Sequence, residues 1–243
     1  MRIIFSRKGF DTGSGGAPSP IINGKPISLP IPTKGRSTTT YRDLGLGDMV
    51  ERVTRGKIDA DHLCHEDPMF FDGYCLFGQC DAAQSHLKRQ GVDIGDVFLF
   101  FGLFADRYFR DRHHRLYGYM RVDQMIEGDE LHSEHRLIKK ALRPHPHTIG
   151  NWNTTNCIYA GPGKRAQTAD PLLRLTTEGG PLQLWDVPAW LAKTGLSYHN
   201  RKDRWLPGNQ LQIVSRGQEF VTNIGERRKP RRWLEDIMKA IER

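Results

Sequence analysis

The densest apolar stretch of the chain covers residues 97–105, and its first half, Val97-Phe98-Leu99-Phe100-Phe101, has no polar interruption. Such a run suits a strand covered on both faces. Residues 115–122 then alternate. Leu116, Met120 and Val122 point one way, and Arg115, Tyr117, Tyr119 and Arg121 point the other. Guanidinium groups attract phosphates and aromatic faces stack on bases, so the second face reads as a nucleic-acid surface. The plainer alternative is a solvated sheet face with Tyr and Arg side by side.

Shorter patterns predict the other elements. Residues 1–5 and 156–160 read as strands, and 211–214 with 219–221 as two final strands or one strand bulged around Gly217. Residues 172–190 alternate loosely around Trp185 and Trp190. A helix is predicted over 80–90, with Cys80, Ala83 and Leu87 facing the core and Gly91 as the stop signal. A shorter one is predicted over 41–55, interrupted by Gly45 and Gly47. The C-terminal helix is expected over 231–242, with Trp233, Ile237, Ala240 and Ile241 on one stripe and Pro230 just before it. Internal repeats and low-complexity linkers are not evident. The expectation is one α+β domain over residues 1–243, with a central mixed, partly barrel-like sheet flanked by a few helices.

Charge adds a partner class. The formal net charge of +8 and pI near 9.4 favour a polyanion. Arg107, Arg110, Arg112 and Arg115 offer phosphate contacts, as does the basic run at 227–232. That run sits where cations oppose the helix dipole, so local stability does not account for it; a phosphate partner does, and a salt-screened solvated run is the alternative. Ile3-Ile4-Phe5 is too short for a signal-peptide core and residues 97–105 too short for a membrane span. A cytoplasmic protein with no membrane partner is expected. Cys64, Cys75, Cys80 and Cys157 form no Cys-x-x-Cys pair and read as reduced thiols.

Several segments carry candidate chemistry. Arg7 and Lys8 open a Gly-rich loop at residues 6–16, but Pro18 and Pro20 rule out the helix that a P-loop needs. His145-Pro146-His147 has a spacing able to place two imidazoles on one metal, and His65 and Asp67 could add ligands. Solvated imidazoles on a surface loop are the better reading, and no metal ligand is assigned. No nucleophile elbow is present. In Arg216-Gly217-Gln218-Glu219-Phe220 the glycine suggests close backbone approach. Gln218 offers a donor and an acceptor to a base edge, and Glu219 a base.

Taken in order, Ser6-Arg7-Lys8-Gly9-Phe10-Asp11, Leu29-Pro30-Ile31-Pro32, Phe77-Gly78-Gln79-Cys80-Asp81 and Gly95-Asp96-Val97-Phe98 resemble the third family of nucleotide modification associated domains. His145-Pro146-His147, Asn156-Cys157-Ile158-Tyr159-Ala160, Leu196-Ser197-Tyr198-His199, Arg204-Trp205 and Gly217-Gln218-Glu219 continue the likeness to about residue 240. The resemblance implies a role in bacterial and phage systems that modify DNA bases; it supplies no reaction, cofactor or protein partner. A shorter likeness, Gly95-Asp96 before an apolar strand and Arg121-Val122 closing the next, is to PUA-like domains.

The resulting expectation is a protein that acts on or binds DNA bases or nucleotides. As an enzyme it would use His86, His145, His199 or Glu219 as acid–base groups. As a reader of modified bases it would hold an extruded base by aromatic stacking. A His-dependent metal hydrolase is the third reading. The candidate binding residues are Arg7, Lys8, Gln79, Arg115, Tyr117, Tyr119, Arg121, Asn156, Tyr198, Arg204 and Gln218. The helix at 79–90 leads into the strand at Val97, so His86 and Glu219 are expected to border one pocket.

Overall fold

A computed structural model describes residues 1–106, 110–131, 135–215 and 217–243. Arg107 and Arg216, named above, lie outside the described residues. The chain begins with β1 (Arg2–Arg7), β2 (Ser19–Ile22), β3 (Lys25–Pro26), β4 (Ile31–Pro32) and α1 (Gly47–Thr54). Next come β5 (Cys64–His65), β6 (Met69–Phe71), β7 (Tyr74–Gln79), α2 (Asp81–Arg89) and β8 (Val97–Ala105). These are followed by β9 (Arg112–Arg121), β10 (Gln124–Glu127), α3 (Arg136–Lys140), β11 (Cys157–Arg165) and β12 (Leu184–Asp186). The remainder is α4 (Ala189–Thr194), β13 (Trp205–Leu206), β14 (Gln210–Gln212), β15 (Glu219–Asn223) and α5 (Arg228–Glu242).

The main sheet runs β15-β1-β8-β9-β11-β7-β6. β1 is parallel to β8 and antiparallel to β15, so the sheet is mixed and draws on both ends of the chain. The apolar run of β8 is buried along its length, as expected. One face, with Ile3, Phe5, Val97, Leu99 and Phe101, packs under α4, α5 and Trp185. The other, with Ile4, Phe98 and Phe100, meets Leu87 of α2, Phe77 of β7 and Tyr159 of β11. Phe77 lies 5.0 and 5.2 Å from Phe98 and Phe100, centroid to centroid. The sheet therefore curls over this second core. It does not close into a barrel, and the α+β class holds. Among the described residues no helix is long and apolar enough to cross a membrane.

The basic-aromatic face of β9 is not a surface. Phe100 pairs with Gly118 but Phe101 with Leu116, which leaves Tyr117 as the extra residue of a bulge. The bulge moves Tyr119 to the side of Leu116, and Tyr117 to the side of Met120 and Val122. Arg115, Tyr117 and Tyr119 are all buried. The Arg115 guanidinium donates to the Asp170 carbonyl at 2.8 Å, and the Tyr119 hydroxyl donates to Glu242 of α5. Arg121 is exposed at the strand end.

Other boundaries shift for local reasons. The helix predicted over 41–55 shortens to α1 because Thr40 and Asp43 close a turn and Gly45 takes φ +67°. Cys80 does not face the core; it precedes α2 in an extended conformation. The loosely alternating residues 172–190 resolve into the end of a 3₁₀ turn, β12 and the start of α4. Pro230 sits within the first turn of α5, where a missing N–H costs no helical bond. Part of the basic run at the start of α5 does have a local role. Arg227 donates to the carbonyls of Asn223 and Ile224, and Arg231 to that of Gly225. Arg228, Lys229 and Arg232 remain exposed.

Candidate functional site

Where the curled sheet fails to close, the ends of β7 and β15 face each other and leave a cleft in two lobes. Gln79, Cys80, Gly217 and Gln218 line both lobes. The first lobe, about 400 Å³, adds Arg7, Lys8, His65, Asp67, His147 and Trp152. The second, about 410 Å³, adds Asp81, His86, Tyr198 and Glu219. The expected meeting of His86 and Glu219 at one pocket is thus observed, and Gln79 joins them.

Glu219 is the first residue of β15, and its side chain is 1 % exposed. Its Oε1 accepts from Gln79 Nε2 at 2.5 Å and Ser6 Oγ at 3.0 Å, and the Lys8 ammonium lies 3.2 Å away. Oε2 is buried without a partner. Burial raises the pKa of this carboxyl, with Lys8, Ser6 and Gln79 opposing it only in part. Lys8 also sits 4.4 Å from the centre of the Phe77 ring.

His86 projects from α2 and stacks on Tyr198 at 4.3 Å between ring centres. Its Nε2 is 3.1 Å from Ser197 Oγ, which also accepts the Val221 N–H. Burial, then Arg89, lowers its pKa and favours the neutral imidazole. Tyr198 takes φ +66° and is 47 % exposed, so its ring stays accessible from the second lobe.

In the first lobe, His65, Asp67 and His147 place one ligand atom each within 4.8 Å of one another. Hydrogen bonds fix the proton positions of His147 and His145. Asn156 Nδ2 donates to the His147 carbonyl at 2.9 Å, so Asn156 Oδ1 must be the acceptor of the 2.6 Å contact with His147 Nδ1. The lone pair of His147 is therefore on Nε2. His145 Nδ1 accepts the His147 N–H, which puts the His145 proton on Nε2, 3.3 Å from Asp67 Oδ1. That contact is bent away from good hydrogen-bond geometry, and His145 Nε2 has no other partner. Asp67 Oδ1 also accepts the Gly78 N–H at 2.9 Å, while Oδ2 lies 3.9 Å from His65 Nε2. Burial would raise the Asp67 pKa, but His145, His147 and Lys8 outweigh it and hold the carboxyl well below the ordinary range. Burial pushes His147 down to about 3 and lowers His65 as well, so both imidazoles are neutral. Gly78 is needed here: a Cβ on it would lie 2.2 Å from the His147 ring. Trp152 stacks on the opposite side of that ring at 4.1 Å.

The remaining candidates fall elsewhere. His199 donates from Nδ1 to the Ser197 carbonyl and accepts at Nε2 from Val214 N–H, so both nitrogens are tied to backbone and it does not line the cleft. His145 and Asn156 act from behind His147 and Asp67. Arg204 donates to the Gln212 carbonyl, away from the cleft. Arg7 lines the first lobe while donating to the Ser215 carbonyl at 3.0 Å. Asp67, His65 and Trp152, outside the assigned set, prove central. The His-x-Asp spacing was the one local signal for the first two.

A family model described as nucleotide modification associated domain 3 matches residues 2–223. No curated protein matches, and no solved structure does.

Proposed function

The chain belongs to the nucleotide modification associated domain 3 family, and on that premise we propose that it is an enzyme acting on a base of DNA or of a nucleotide bound in this cleft. The observation that carries this reading is Glu219: a buried carboxyl with a raised pKa and an unpartnered Oε2, at the edge of a ligand-sized cleft. A group of this kind exchanges a proton near neutral pH more readily than a solvated carboxylate. Around it the cleft offers what a base requires. Tyr198 presents an accessible aromatic ring, Gln79 and Gln218 carry amides suited to a base edge, and Arg7 and Lys8 supply positive charge for a phosphate. Glu219 is assigned the acid–base role and His86, neutral and stacked on Tyr198, a positioning or second proton-transfer role. The bacterial and phage base-modification systems are the setting this reading favours.

The test is nucleoside mass spectrometry on DNA from cells expressing the wild-type chain or Glu219→Gln. A mass-shifted nucleoside in the wild type, at least tenfold less abundant with the variant, is the expected result. DNA binding with no altered nucleoside in either sample would favour a reader of modified bases instead.

A further inference from the structure

We propose that His65, Asp67 and His147 bind one divalent first-row transition metal in the first lobe of the cleft, leaving coordination positions open to that lobe. The inference rests on the reading above only in sharing its cleft. Two imidazoles and one carboxylate are the donor set of open catalytic metal sites, whereas structural zinc sites fill all their positions with protein.

Four features support it. First, the three ligand atoms converge within 4.8 Å although His147 is some 80 residues beyond the other two. Tetrahedral or octahedral coordination at about 2.1 Å requires ligand atoms about 3.0–3.4 Å apart, so a bound ion would draw them slightly closer. Second, two of the three donors are presented with a lone pair available. Asn156 holds the His147 proton on Nδ1, and the Gly78 N–H occupies Asp67 Oδ1, leaving Oδ2 toward His65. Such outer partners orient the ligands of known metal sites. Third, His145 Nε2 is fully buried 3.3 Å from Asp67 Oδ1 and makes no hydrogen bond, so a small shift of the carboxylate onto an ion could satisfy it. Fourth, all three residues line the cleft, so open positions on the ion would face a bound substrate.

The experiment is a titration of the full chain, stripped of metal by chelator, with Co(II) as a spectroscopic probe, followed by anaerobic Fe(II) and by Zn(II) as competitors. Saturable d–d absorption at one Co(II) per chain, displaced by the competitors, is the expected result. His65→Ala and His147→Ala should each weaken binding at least tenfold, and Asn156→Ala by about 10–100-fold through loss of the fixed tautomer. His65 is on a two-residue strand and partly exposed, so its variant is the one best suited to retain the fold, checked by circular dichroism. Glu219→Gln should bind Co(II) as the wild type does, which separates failure of the acid–base assignment from failure of the metal site. An absent Co(II) signal in folded wild-type protein would overturn the proposal. So would a signal that persists in both folded histidine variants.

Discussion

Gln79 Nε2 donates a 2.5 Å hydrogen bond to Glu219 Oε1, 140 residues further along the chain. The two side chains join β7 to β15, strands that do not pair through their backbones. The bond spans the gap of an open sheet and, at the same time, fixes one oxygen of the proposed acid–base residue.

Removing this donor should act mainly on the ionised form of Glu219. For Gln79→Leu, a stability loss of about 1–3 kcal/mol is expected at pH 8, the cost of losing one of the three donors to a buried carboxylate, with Ser6 and Lys8 retained. The Glu219 pKa, already raised in the folded state, rises further. The loss should shrink as pH falls through that folded pKa, because the neutral carboxyl needs the donor less. Urea unfolding over a pH series falling from pH 8 checks it; a loss that stays constant throughout would count against the assignment.

Gly78→Ala tests the close approach of β7 to His147. The new Cβ would fall 2.2 Å from the ring, and Trp152 blocks retreat on the other side. A destabilisation of about 1–3 kcal/mol is expected from overpacking. Thermal unfolding gives the first readout and Co(II) affinity the second, and both should fall.

Acid should destabilise the protein through His114, well away from the cleft histidines. Burial, then the charges of Arg7 and His113, push its pKa down to about 3. Trp185 Nε1 donates to its Nδ1 at 3.1 Å, so the folded state holds the ring neutral. The unfolded chain binds the proton below about pH 6.5, and stability is lost as pH falls from there toward the folded value, by up to about 1.4 kcal/mol per pH unit. His114→Gln, which keeps an acceptor for Trp185, should flatten this slope in denaturant titrations between pH 6.5 and pH 4.

The basic run at α5 divides into two classes of residue. Replacing Arg228, Lys229 and Arg232, all exposed, with Ala should weaken DNA binding and reduce its salt dependence, by about 0.9 in double-logarithmic slope for each phosphate no longer neutralised. Wild-type affinity is expected to fall at least about tenfold between low and physiological salt. Replacing Arg227 or Arg231 should instead cost stability, because their guanidinium groups hold loop carbonyls. Filter binding across a salt series, with unfolding curves alongside, separates the two classes.

Elements with a local signal were legible in the sequence, and relations between distant partners were not. The run at β8 announced a strand buried on both faces, and the periodicity of Ile237, Ala240 and Ile241 announced α5. The pairing of His86 with Glu219 followed from the short link between α2 and β8. The alternation in β9 misled because a single bulge at Tyr117 exchanges the faces, and because α5 covers Tyr119. Nothing local distinguishes a tyrosine stacked on a base from one under a helix. The cluster of His65, Asp67 and His147 was visible only as a possible set of ligands, against which solvated imidazoles on a surface loop were the better reading. Its geometry depends on Gly78 admitting the His147 ring and on Asn156 orienting it, and neither relation leaves a periodic trace.

The position of β1 between β8 and β15 has a consequence for how the molecule is made. Residues 3–7 pair on one side with 97–101, and residues 2–6 on the other with 219–223. On the ribosome the first of these partners, β8, emerges more than a hundred residues before the second, β15. Long-range pairings of this kind are slow to form, because a large loop must close before any contact repays it. One edge of β1 therefore waits, unpaired, while the residues between β8 and β15 are made, and Ser6 and Lys8 wait with it for Glu219. The scaffold around β8 can assemble early, but the acid–base half of the cleft comes into being only when β15 docks.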